Sequence, residues 1–131
     1  MLPGVRALPV HYERPLVVQV LLAHVVPLLF GAVCGIVVGE SKGAYIALNL
    51  VAAIGGFGAG LEHETPRDAA SRGVAGGAFF GAGIVIAHAI ADTHALVKLP
   101  HPTVLLILLT AFAGAVLGLA GGALRTRLVR T

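Results

Sequence analysis

Residues 73–91 read GVAGGAFFGAGIVIAHAIA, a run with no charged side chain. At about 1.5 Å per residue a helix of this length covers most of a hydrocarbon core roughly 30 Å thick. Gly73, Gly77 and Gly81 recur every fourth position, which on a helix forms one small-residue stripe. Such a run reads as a membrane-crossing helix that packs through its glycines.

Three further apolar runs, 16–38, 44–61 and 103–123, have similar lengths. The chain of 131 residues is 57% hydrophobic and 11% charged, with a mean hydropathy of +0.94. These values lie outside the soluble globular range. The expected fold class is therefore all-α: an integral membrane bundle of four transmembrane helices over 16–124. An interfacial lead-in over 1–15 precedes it, and a basic tail over 125–131 follows.

Glycines repeat the small-xxx-small spacing in every span. Gly31, Gly35 and Gly39 lie in the first, Gly56 and Gly60 in the second, and Gly114, Gly118 and Gly122 in the fourth. Lipid is as apolar as leucine, so tight association in a bilayer relies on close backbone approach and dispersion. Glycine-zipper packing of the bundle is the expectation.

Orientation follows from the cations. Arg6, Arg14, Arg67, Arg72, Arg125, Arg127 and Arg130 flank one side of the four spans, and only Lys42 and Lys98 flank the other. The positive-inside bias puts both termini and the 61–65 connection in the cytoplasm of a bacterial-type inner membrane. The basic pI of about 9.6 reflects this bias and contact with anionic lipid. No aromatic-interleaved basic patch points to nucleic acid. The first run is too long for a signal-peptide core. A single cysteine, Cys34, rules out an internal disulfide framework.

The segment GLEHETPRDAASRG, residues 60–73, holds half of the acidic side chains. Thr65, Pro66 and Asp68 match a helix start, with a hydroxyl cap, Pro at the first helical position and a carboxylate three residues after the cap. The third span is thus expected over 66–91, beginning in water. Asp68 and Arg72 stand four apart in the favourable acid-first order for a helical ion pair. Glu62, His63 and Glu64 precede the cap at the cytoplasmic mouth of the bundle, where they serve either as a solvated turn or as a cation-binding or pH-responsive group.

Polar residues inside the spans fall on the glycine stripes. His24, Asn49 and His88 each lie seven residues from a stripe glycine, within about 20° of its direction, and Thr110 lies four from Gly114, about 40° away. Counted from the cytoplasmic end, Asn49, Thr110 and His88 stand roughly 18, 20 and 24 Å up and His24 about 12 Å. They read either as interhelical glue or as a polar path. The depth difference between His24 and His88 excludes a shared haem within one chain. Pro27, beside His24, removes one helical hydrogen bond and frees the Ala23 carbonyl. A metal site drawn from His88, Asp92, His94 and His101 is a further arrangement that the spacing allows.

Size and span number are similar to those of fluoride channels and small multidrug transporters, and Asn49 superficially resembles a fluoride-channel feature. The Thr-Thr-Phe-Ser break of the former is replaced here by GGAFFGAGIVIAHAI. The first span has none of the embedded Glu of the latter.

No nucleophile triad, phosphate loop or zinc spacing is present, so neither catalysis nor a cofactor is expected. The sequence reads as a structural or accessory subunit of a homo-oligomeric or larger membrane assembly. The alternative is a homo-oligomeric channel or carrier for a small ion or solute, using His24, Asn49, His88 and Thr110. A third reading is a metal-binding or sensing membrane protein.

Overall fold

The computed structural model describes residues 10–130. Residues 1–9 of the lead-in, Arg6 among them, and Thr131 of the basic tail lie outside the described residues. Four long helices and no strand make up the described chain: α1 (Leu16–Val37), α2 (Lys42–Gly60), α3 (Pro66–Ala91) and α4 (Val104–Arg130). Each is long and apolar enough to cross a membrane. Arg125, Arg127 and Arg130 ride on the last turns of α4, which continues without a break to Arg130.

Local chemistry sets the ends. The Ser41 hydroxyl accepts the Ala44 N–H at 3.2 Å and starts α2. Thr65 does the same for α3 through the Asp68 N–H at 3.2 Å, with Pro66 opening the helix. Asp92 ends α3 in the left-handed region, φ 51°, a conformation that a short polar side chain tolerates better than most.

Pro27 has a visible effect upstream. Residues Leu21–Val25 of α1 form a π turn just before it. Proline lacks an N–H and crowds the carbonyl four residues back, here that of Ala23, and a widened turn relieves both problems.

α3 is the central helix, with α4 along one side and α1 along the other. Glycine allows the close approach. A Cβ at Gly73 would strike the Gly114 carbonyl, and one at Gly114 would strike the Gly73 carbonyl, so α3 and α4 meet backbone to backbone. Gly83 of α3 lies in the same way against the Leu28 carbonyl of α1. α2 is held mainly by α4, where Gly60 abuts Gly118 and Gly121 abuts Phe57.

The buried core sits at the end of the bundle away from the 61–65 connection. Cys34, Val38, Tyr45, Ile84 and Leu106 form it, with Phe30, Phe80 and the α3–α4 connection residues Ala95, Val97 and Leu99 against them. That connection folds back onto the helix ends, its Leu96 N–H donating to the Val38 carbonyl at 2.9 Å. The other end of the bundle is not filled in this way.

Candidate functional site

Because α2 leans on α4 and touches α1 along only a short stretch, a cavity of about 720 Å³ remains between α1, α2 and the α3–α4 pair. Its walls are small and apolar. Ala52, Ala53, Gly56 and Ala59 come from α2, and Gly73, Gly76 and Gly77 from α3. Phe30 and Phe80, stacked with ring centroids 6.1 Å apart, line it and also pack against the buried core, which puts them at its inner end. Val26 and Val51 line the cavity yet are 51% and 55% exposed, which marks the lateral rim between α1 and α2.

Polar groups gather at the two ends. Near the core, Asn49 and Thr110 lie on the wall. Asn49 Nδ2 donates to the Tyr45 carbonyl at 2.9 Å, and the Thr110 hydroxyl is shared between the Leu106 and Ile107 carbonyls at 2.9 and 3.0 Å. Each bonds back to a carbonyl of its own helix, as a hydroxyl or amide does when no partner helix offers a group.

At the opposite end stand Arg14, Glu62 and Arg72. Glu62 takes one guanidinium on each carboxylate oxygen, Arg14 Nη2 on Oε1 at 2.8 Å and Arg72 Nη1 on Oε2 at 3.3 Å. Arg72 Nη1 also reaches the Ala59 carbonyl at 3.4 Å. The α-helical spacing of Asp68 and Arg72 leads to a different expectation, and the structure corrects it. Asp68 is bonded to the Thr65 hydroxyl at 2.8 Å, while Arg72 turns along the helix surface toward Glu62.

The segment ahead of α1 fastens this mouth. The His11 N–H donates to the Glu62 carbonyl at 2.8 Å, and Gln19 Nε2 ties back to the Arg14 carbonyl at 2.8 Å. His63 is fully buried, with its Nδ1 on the Ala59 carbonyl at 3.1 Å; His11 stacks on it and Tyr12 meets it edge-on. Burial pushes both imidazoles below the ordinary histidine value, with the Arg72 charge adding to the shift, and His11 falls to about 4. Of the Glu62-His63-Glu64 group, Glu62 lines the cavity, His63 packs behind it and Glu64 is exposed.

The remaining polar residues stand apart. His24 lies in the π turn, Nδ1 near the Val20 carbonyl at 3.3 Å and its ring edge-on to Phe79 at 5.0 Å, off the cavity wall. His88 is packed where α3 meets Gly35 of α1, its Nδ1 buried and without a partner among the described residues. Asp92, His94 and His101 are exposed, and among the described residues no group of three or more His, Cys, Asp or Glu is placed to hold a metal ion.

Sequence spacing does not single out Arg14 and Arg72 as site residues. The available signal is that both lie within a turn or two of a helix start on the cation-rich side. Comparison with protein-family models, with curated proteins and with solved structures finds no match.

Proposed function

We propose that this chain is a small integral membrane protein that acts by binding, without catalysis, and holds a ligand in the cavity between α1, α2 and the α3–α4 pair. The cavity carries this reading. Its 720 Å³ falls inside the ~300–1,000 Å³ typical of small-molecule sites, which are mostly apolar with a few convergent polar groups. Gly55 and Gly58 strengthen the case. Both line the cavity, and a Cβ on either would meet nothing within 4 Å, so these glycines serve open space instead of helix contact.

The zipper-like glycine contacts of α3 with α1 and α4 then have a supporting role, as a rigid wall that fixes the cavity's shape. The Arg bias assigns both termini and the charged mouth to the cytoplasmic side of a bacterial-type inner membrane. The phenylalanine pair at the inner end favours a binding or carrier site over a continuous pore.

A cavity-filling variant tests this reading. Purified in mild detergent, the parent should carry non-covalent ligand visible by native mass spectrometry, and Ala53→Phe should carry much less. Equal ligand content in a folded Ala53→Phe variant would reject the cavity as the binding site.

One observation favours a second reading, association through α2. Gly43 also faces open space, and Leu50, Val51 and Ile54 beside the α2 glycines are exposed. A second copy seated on this face would produce a homo-oligomer and narrow the cavity's rim. Cross-linking in native membranes, lost with Gly58→Leu, is its test.

A further inference from the structure

We infer that the ligand of this cavity is an anionic phospholipid, its acyl chain lying along the small-residue wall and its phosphodiester taken by the N–H donors of Arg14 and Arg72 that the bridging Glu62 carboxylate does not use. This rests on the binding reading above and names the ligand class for the same site.

The charge balance at the mouth is the first reason. Arg14 and Arg72 contribute two positive charges and Glu62 one negative charge, so one positive charge is left for a ligand. Among the described residues Arg14 bonds through Nη2 alone and Arg72 through Nη1 alone, so most of their N–H donors stay available. A planar guanidinium fork matches two phosphate oxygens, and two such forks beside one carboxylate suit a monoanionic phosphodiester.

Depth is the second. Arg72 lies six residues into α3, roughly 9 Å along the helix from Pro66, and Arg14 lies just before α1 begins. Both therefore stand near the boundary where lipid phosphates meet hydrocarbon, and a long side chain can hold its charge there while its stem runs along apolar surface.

The third reason is access. The rim at Val26 and Val51 opens sideways between α1 and α2, at the level a lipid chain occupies, so a lipid enters without leaving the bilayer. Ala52, Ala53, Gly56, Gly76 and Gly77 form a trough of small residues along which an unbranched chain can lie, with Leu22, Val26, Val51 and Leu117 as its bulkier apolar walls. A small inorganic anion would satisfy the arginines and leave the apolar length unfilled. A zwitterionic lipid would bring a cation toward a mouth that already has one to spare.

The absence of tryptophan makes a clean test available. Phe30→Trp places a fluorophore on the cavity wall. Phe112→Trp, at a position 69% exposed on α4, reports bulk lipid. Each is reconstituted in vesicles in which either the phosphatidylglycerol or the phosphatidylcholine carries brominated, quenching acyl chains. The cavity tryptophan should prefer brominated phosphatidylglycerol by about fivefold, the scale of one cation against an anionic headgroup, and the reference tryptophan should show no preference. Arg72→Gln or Arg14→Gln should bring the ratio toward one, and Glu62→Gln should raise it.

Equal quenching of the cavity tryptophan by both lipids would overturn the anionic assignment and leave the binding reading standing. Quenching of the reference alone would overturn both. A preference that survives both arginine substitutions would reject the arginine mouth as the headgroup site. Should Phe30→Trp fail to fold, the unsubstituted protein in mixed phosphatidylglycerol and phosphatidylcholine micelles gives the same ratio by adduct mass. Loss of that ratio in Arg72→Gln is again the expected result, and an unchanged ratio the overturning one.

Discussion

The His11 ring lies stacked on the His63 ring, centroids 5.2 Å and planes 29° apart, so two imidazoles withdrawn from water join the segment ahead of α1 to the α2–α3 connection. His11 Nδ1 and His63 Nε2 are both buried without a partner among the described residues. Around the pair stand Arg72 from α3, Glu62 from the connection, Arg14 from the same segment and Asp68 beyond His63.

This join should weaken in acid. A histidine whose folded pKa is depressed binds its proton more readily when released, so its contribution is intact above the ordinary value of 6.5 and is lost as the pH falls toward about 4. Protonation would also add positive charge beside Arg72 and Arg14, which already crowd the site. Amide protection of residues 10–15, corrected for intrinsic exchange, should fall between pH 7 and about pH 4.5, and the fall should vanish in a His11→Phe, His63→Phe double variant. Unchanged protection across that range would refute the idea.

Glycine positions should divide into two groups. Gly73→Val forces a side chain into the Gly114 carbonyl, and overpacking of this kind costs about 1–3 kcal/mol. Gly58→Ala meets no neighbouring atom and removes unfolded-state freedom, so it should be neutral or stabilising by about 0.5 kcal/mol. Unfolding by detergent titration distinguishes them, and equal destabilisation by both would mean that Gly58 is in fact packed, against a partner.

Thr65→Ala removes the acceptor of the Asp68 N–H and should cost about 1 kcal/mol, with fraying confined to the first turn of α3. Thr65→Ser keeps the oxygen and should restore most of it. Hydrogen exchange of residues 66–69 reads the effect directly.

The helices were legible because hydropathy and length act locally: a run such as 73–91 has no other stable state in a bilayer than a helix. The stripe of Gly73, Gly77 and Gly81 was legible for the same kind of reason, since a four-residue repeat has one direction on a helix, but that Gly73 would meet Gly114 was not. The cavity was not legible. It depends on α2 leaning toward α4 and away from α1, a matter of relative helix placement that no single helix's periodicity encodes. Arg72 illustrates the limit well. Spacing pairs it with Asp68 on its own helix, yet its partner is Glu62, ten residues earlier and across a turn. Asn49 and Thr110 share a cavity wall as their depths allow, whereas His88, on the same stripe arithmetic, is used where α1 and α3 pack.

Glu62 anchors the mouth, and its removal should show how far the two arginines depend on it. Glu62→Gln leaves two guanidinium groups with no carboxylate between them. The three side chains are 26%, 23% and 11% exposed, in the order Arg14, Glu62, Arg72, so water screens part of the attraction and the loss should be about 1 kcal/mol, smaller than for a fully buried pair. A double-mutant cycle with Arg14→Gln isolates the 2.8 Å pair from the rest. The coupling should be positive and should shrink at high salt, because both partners reach solvent. Coupling indistinguishable from zero at low salt would mean that the carboxylate orders the mouth through the Glu62 backbone, where His11 binds, and that the ion pairs are incidental.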